Sequence, residues 1–154
     1  MYKVTTYLND DRMPYLVKEE VAYKVNKDDM FDDCDKVYEL CKAIHITERA
    51  TEMVLLLIMD TACHLIAVQE VTTGAADRSI LPIREIAQTM LLCGATHGIV
   101  VHNHPSGNTE PSDIDIAITK QLTDSLRQLN LCILDHLVVG REEYTSLKKE
   151  GMME

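Results

Sequence analysis

The run Ile99-Val100-Val101-His102-Asn103-His104-Pro105-Ser106-Gly107-Asn108 constrains the fold more tightly than any other part of the chain. Three consecutive β-branched residues read as a buried strand. Pro105 lacks the N–H that a strand ladder needs, and Pro-Ser-Gly-Asn is turn chemistry. The strand must therefore end at the histidines, and the chain must double back. Pro111-Ser112-Asp113-Ile114-Asp115 then opens a helix that extends to about Leu129. In an extended segment, side chains two apart point to the same side, so His102 and His104 can face one point. A helix would hold them about 200° apart. The complete pattern is H-x-H-x7-S-x2-D. Two imidazoles and one carboxylate are a common ligand set for a catalytic zinc, leaving one coordination position for water. A second reading stands beside this one. Ser112 with Asp115 is also a capping-box pair, in which both residues serve the orphan amides of the helix start. Ser112 can serve either role, whereas Asp115 is not expected to fill both.

The remaining chain alternates strands and helices. Val4–Leu8 and Tyr15–Val25 are expected to form a hairpin around Asn9-Asp10-Asp11-Arg12-Met13-Pro14. An acidic loop, Lys27 to Asp35, leads to a helix near Lys36–Ala43, with Val37, Leu40, Cys41 and Ile44 on one face. Met53–Met59 is short and continuously apolar, and it reads as a buried strand. A further strand spans Leu65–Thr72 and ends near Gly74. From Ile83 to Cys93 the apolar residues recur with helical spacing, and Gly94 fits the position beyond the last turn. Leu131–Val139 is a strand closed by Gly140, and Tyr144–Leu147 is an edge strand. The paired histidines thus lie at the carboxyl end of a strand, where open mixed sheets place their sites.

The 154 residues suffice for one domain with a sizeable core. The net charge of −10 argues against a general affinity for nucleic acid, which needs a basic face. The five cysteines form no C-x-x-C pair and mostly sit in apolar runs, a pattern that fits the reducing cytoplasm. No secretory signal and no apolar run of membrane-spanning length is evident.

The stretch from His102 to Asp115 resembles the JAMM motif of JAB/MPN+ metalloproteases, and more closely that of their RadC-like branch, which reads H-N-H-P-S-G, then P-S, then D. The resemblance extends over about residues 30–150. It includes the apolar strand Met53–Asp60, the helix start Arg84-Glu85-Ile86, and Leu134-Asp135-His136-Leu137-Val138-Val139-Gly140. It implies an α/β fold of JAB1/MPN type, similar to cytidine deaminases: a three-layer arrangement with a curved mixed sheet flanked by helices. Residues 1–29 would be a hairpin-like extension and 30–154 the JAB/MPN domain. His102, His104 and Asp115 would hold Zn2+. Ser112 would hydrogen-bond the polarised carbonyl or its oxyanion. Glu52, just ahead of the apolar strand, would be the general base, partly desolvated at the strand end, with Glu85 as the alternative. His136 reads as a satisfied histidine or one that supports a ligand, and Asp135 as a partner of a nearby loop. His45, His64 and His97 read as surface or edge residues.

The expected function is hydrolysis of an amide in a peptide or protein substrate by a zinc-activated water, in the cytoplasm and away from membranes. Two alternatives follow from the same resemblance. One is a DNA-repair-associated accessory role, against which the acidity and the absence of a helix-hairpin-helix module argue. The other is a non-catalytic scaffold, against which the complete ligand set argues.

Overall fold

The structure is a computed structural model, and it describes residues 1–21, 24–26, 28–71 and 81–153. Strands β1 (Tyr2–Leu8) and β2 (Pro14–Glu20) form the expected hairpin, with Tyr2 opposite Glu20 and Leu8 opposite Pro14. The second strand is shorter than its composition suggests. β1 starts at Tyr2, which pairs with Glu20, the last residue of β2. The last bond of the ladder is Val21 N–H to the Met1 carbonyl, at 3.1 Å. Ala22 and Tyr23, in the expected continuation to Val25, lie outside the described residues, as do Thr72 and Gly74 at the expected end of the fourth strand.

Helix α1 (Cys34–Ala43) begins two residues ahead of the expected Lys36, because the Asp33 carboxylate caps it by accepting from Asp35 N–H. A single 3-10 turn, Ile46–Glu48, precedes β3 (Val54–Met59). β4 (Leu65–Val71), α2 (Ile83–Leu92), β5 (His97–Asn103), α3 (Asp113–Arg127), β6 (Cys132–Val139) and β7 (Tyr144–Ser146) follow. Gly94 ends α2 at a φ of 65°, a conformation that costs a glycine little.

The seven strands form one open sheet in the order β2-β1-β4-β3-β5-β6-β7. β1–β4 and β5–β6 are parallel and the other pairs antiparallel, so the sheet is mixed. Alternation along the central strands splits the core. Leu56, Ile58 and Val100 face one side with Ile86 and Met90 of α2 and Leu122 and Leu126 of α3. Leu55, Leu57, Met59, Ile99 and Val101 face the other with Val37, Leu40 and Cys41 of α1. The result is the expected mixed α/β fold, with helices on both faces. The run from Leu56 to Met59 is fully buried because both faces of β3 are covered. Each of those side chains contributes about 1.5–3 kcal/mol through burial.

The topology then fixes what meets at the end of β5. β3 runs antiparallel to β5, with Val54 opposite His102. The segment entering β3 therefore lies beside the segment leaving β5, which brings Glu52 near His104 across 52 positions of sequence.

Candidate metal centre

His102 is the penultimate residue of β5 and is only 6% exposed. His104 follows the strand, with its backbone N–H still donating to the Val139 carbonyl at 3.1 Å. Gly107, at a φ of 83°, closes a tight turn by donating to the His104 carbonyl at 3.0 Å. Asp115 arrives in the first turn of α3. Nε2 of His102 lies 2.9 Å from Nε2 of His104 and 3.6 Å from Oδ1 of Asp115. One donor atom from each of the three residues falls within 4.8 Å of the others. Two ligand atoms on a tetrahedral zinc, each about 2.0–2.1 Å from the metal, would be separated by about 3.3 Å. The observed spacings bracket that value, so the donor set fits the ion in kind and in size.

The imidazole of His104 is oriented for the task. Its Nδ1 lies 2.6 Å from the Asn108 carbonyl, which can only accept, so the proton sits on Nδ1 and Nε2 carries a lone pair. Asn108 belongs to the returning turn, and the turn thus sets the tautomer as well as the chain direction.

The expected cap at Asp115 is formed, and it leaves one carboxylate oxygen on the histidine side. A capping box is present: Asp115 N–H donates to Ser112 Oγ at 3.2 Å, and Ser112 N–H donates to Asp115 Oδ2 at 2.8 Å. The Ser112 hydroxyl also donates to Oδ2, at 2.6 Å. Only one carboxylate oxygen is occupied by the cap. The other, Oδ1, is the one turned to His102. Burial alone would push the Asp115 carboxyl up. The Ser112 hydroxyl bond, the adjacent His102 imidazole and the Ser112 N–H bond outweigh it and hold the group below the ordinary carboxylate value.

Two of the histidines, His102 and His136, are kept neutral by burial. Burial depresses His102 to about 4; Asp115 opposes that shift and His104 adds to it. Burial likewise depresses His136, to about 3, with His102 adding to the effect. Neutral imidazole is the ligating form. The consequence for stability follows from linkage. Both folded values lie below the ordinary 6.5, so the unfolded chain binds more protons in the window between. Metal-free protein is therefore expected to lose stability as the pH falls from about 6.5 towards about 4, and to be most stable above that window. Thermal melts of metal-free protein across this range would show it, and a flat profile would exclude buried neutral histidines.

The three residues line a cavity of about 550 Å³, together with Glu52, Ser112 and His136. Val54, Val71, Leu81, Ile114 and Ile118 form its apolar wall. Glu52 is exposed, which corrects the expectation of a partly desolvated carboxylate: it lies ahead of the covered part of β3. Glu85 is exposed in the first turn of α2 and is not among the residues lining this cavity. Asp135 points away, accepting from the Ser146 hydroxyl at 2.5 Å and Lys148 N–H at 3.1 Å, so it ties β6 to the segment after β7. His45 is exposed, and His97 sits beside the Asp60 carbonyl. His64 has a partner that its spacing did not suggest, the Asp60 carboxylate at 3.0 Å.

Asn103 emerges only with the structure. Its side chain faces away from the two histidines and is 1% exposed. It accepts from Met53 N–H at 2.7 Å and donates to the Thr51 carbonyl at 3.1 Å. It therefore clamps the two residues that flank Glu52 to the strand that carries His102. Thr119, described below, is the other residue of this kind.

Comparison with known proteins agrees with this geometry. Residues 31–152 match the profile of the RadC-like JAB domain. A UPF0758 protein of Thermotoga maritima is 37% identical over 120 residues, covering 78% of this chain and 53% of that protein. A UPF0758 protein of Xanthomonas oryzae pv. oryzae is 42% identical over 106 residues, with coverages of 69% and 47%. One from Streptococcus suis is 39% identical over 111 residues, with coverages of 71% and 45%. The chain spans about half the length of the curated relatives it matches. With the match running through the strand, the turn and the helix start that assemble the histidines and Asp115, this chain belongs to the RadC-like JAB domain family.

Proposed function

We propose that this domain is a zinc-dependent hydrolase that cleaves an amide bond, as a peptidase or isopeptidase, in a peptide or protein substrate. The observation that carries the reading is the convergence of His102 Nε2, His104 Nε2 and Asp115 Oδ1 in a cavity that Glu52 and Ser112 also line. Zinc held by those three residues would supply Lewis acidity towards a carbonyl oxygen and lower the pKa of a water to ~7. Glu52, at the edge of the same cavity, would serve as the base that accepts a proton from the attacking water and passes it to the leaving amine. The Ser112 hydroxyl holds Asp115 at rest, and it turns to donate to the substrate oxygen as negative charge develops there. The apolar wall formed by Val54, Val71, Ile114 and Ile118 takes the side chains flanking the scissile bond and restricts water beside it.

The test is metal content, then activity. Protein purified without added zinc is expected to carry about one zinc per chain. It should cleave quenched fluorescent peptides or lysine-linked isopeptides, and a chelator should abolish the cleavage. Wild-type protein with no stoichiometric metal would sink the reading.

A further inference from the structure

The metal-centre reading accounts for His104, whose proton is placed by a backbone carbonyl, but it leaves His102 undetermined. Its Nδ1 lies 2.8 Å from Nε2 of His136, and either nitrogen can be the donor. The ambiguity is resolved two bonds further on.

Thr119 Oγ1 lies 2.6 Å from the Asp115 carbonyl and 2.5 Å from His136 Nδ1. A carbonyl has no proton, so the Thr119 hydroxyl donates to Asp115. A hydroxyl has one proton, so towards His136 Thr119 must accept, and His136 Nδ1 carries the hydrogen. A neutral imidazole has one N–H, so His136 Nε2 is an acceptor, and His102 Nδ1–H donates to it. His136 is 4% exposed, and the partners of its ring are the His102 imidazole and the Thr119 hydroxyl, with the Asp135 carboxylate held by its backbone N–H instead; such a ring is neutral. His102 Nε2 then carries a lone pair, as His104 Nε2 does. Two bare nitrogens thus face each other at 2.9 Å with no proton to share, an arrangement that a cation relieves.

We propose that His136 and Thr119 are positioning residues for the metal. They form a relay, from the Asp115 carbonyl through Thr119 and His136 to His102, that fixes the His102 proton on Nδ1 and holds the Nε2 lone pair towards Asp115 and His104. The inference rests on the metal-centre reading and adds two residues to it. The relay is closed: Thr119 stands one helical turn after Asp115 in α3, so it begins at one ligand and ends on the backbone of another. β5, β6 and α3 are thereby locked around one point. A side chain that supports a ligand in this way commonly alters metal affinity about 10–100-fold.

Thr119→Val removes the hydroxyl while keeping the shape, and Thr119→Ser keeps the hydroxyl. Two measurements on the full chain decide the matter. One is the zinc dissociation constant, by competition with a chromophoric chelator. The other is the protonation pattern of the ring nitrogens in metal-free protein, by nitrogen-15 NMR. Wild type is expected to show Nδ1–H on His102, His104 and His136. Thr119→Val is expected to weaken zinc binding about 10–100-fold and to lose the single tautomer of His136. Thr119→Ser should restore both. A wild-type His102 or His136 protonated on Nε2 overturns the relay, as does Thr119→Val protein that binds zinc like wild type. Wild-type protein that takes up no zinc defeats the proposed hydrolase instead, and the tautomers then decide the relay by themselves.

Discussion

Replacing Glu52 by glutamine is expected to cut peptide hydrolysis about 10²–10⁴-fold, the usual contribution of a positioned general base. Zinc content and melting temperature should stay close to wild type. The side chain is exposed, so the amide fits where the carboxylate was. What is lost is the ability to accept a proton. Glu85→Gln is the matched control: it lies on α2, is not among the residues lining the cavity, and should leave activity intact. If Glu52→Gln turned over every cleaved peptide at the wild-type rate, the base would have been assigned wrongly.

The second large effect separates two ligands by their burial. His104→Ala and His102→Ala should each lose stoichiometric zinc and, with it, hydrolysis. They should differ in stability. His104 lies on a turn at the rim, where its ring donates to the Asn108 carbonyl of the same turn, and its bond to β6 is made by the backbone, which alanine keeps; its metal-free variant should melt near the wild-type temperature. His102 is buried and its Nδ1–H satisfies His136. Removing it leaves a buried acceptor without a donor, a cost of about 1–3 kcal/mol beyond the space vacated. Metal analysis and denaturant melts of both variants would show the contrast. Equal destabilisation would mean that the His102–His136 bond contributes nothing to the fold.

Much of the fold was legible because burial leaves a periodic trace. The continuous run of β3 and the helical spacing in α2 follow from which faces are covered, and the structure reproduces both. The end of β2 at Glu20 was not legible, because it coincides with the start of the partner strand at Tyr2 and not with a change in composition. The convergence of the histidines with Asp115 could be expected from spacing, since a strand end, a turn and a helix start are all local signals. The choice between Glu52 and Glu85 could not be made that way, since it depends on the register of β3 against β5. Asn103 hid between two histidines as an apparent spacer, pointing to the opposite face. Thr119 looked like any threonine inside a helix until β6 placed His136 against it. The division of Asp115 between the cap and His102 was not legible, because a residue letter does not show that the two oxygens of one carboxylate can face different partners.

That division of Asp115 ties two equilibria together. One oxygen secures the first turn of α3, and the other is turned to His102, where the proposed ion would bind. An ion that binds only the ordered carboxylate stabilises whatever holds that carboxylate in place, in proportion to its concentration. Here that includes the start of a 15-residue helix, whose first turn is otherwise the most prone to fray. Zinc supply would thus set how often the amides at the head of α3 open to solvent, and hydrogen exchange at Asp115 and Ile116 would report occupancy of a site that neither amide touches.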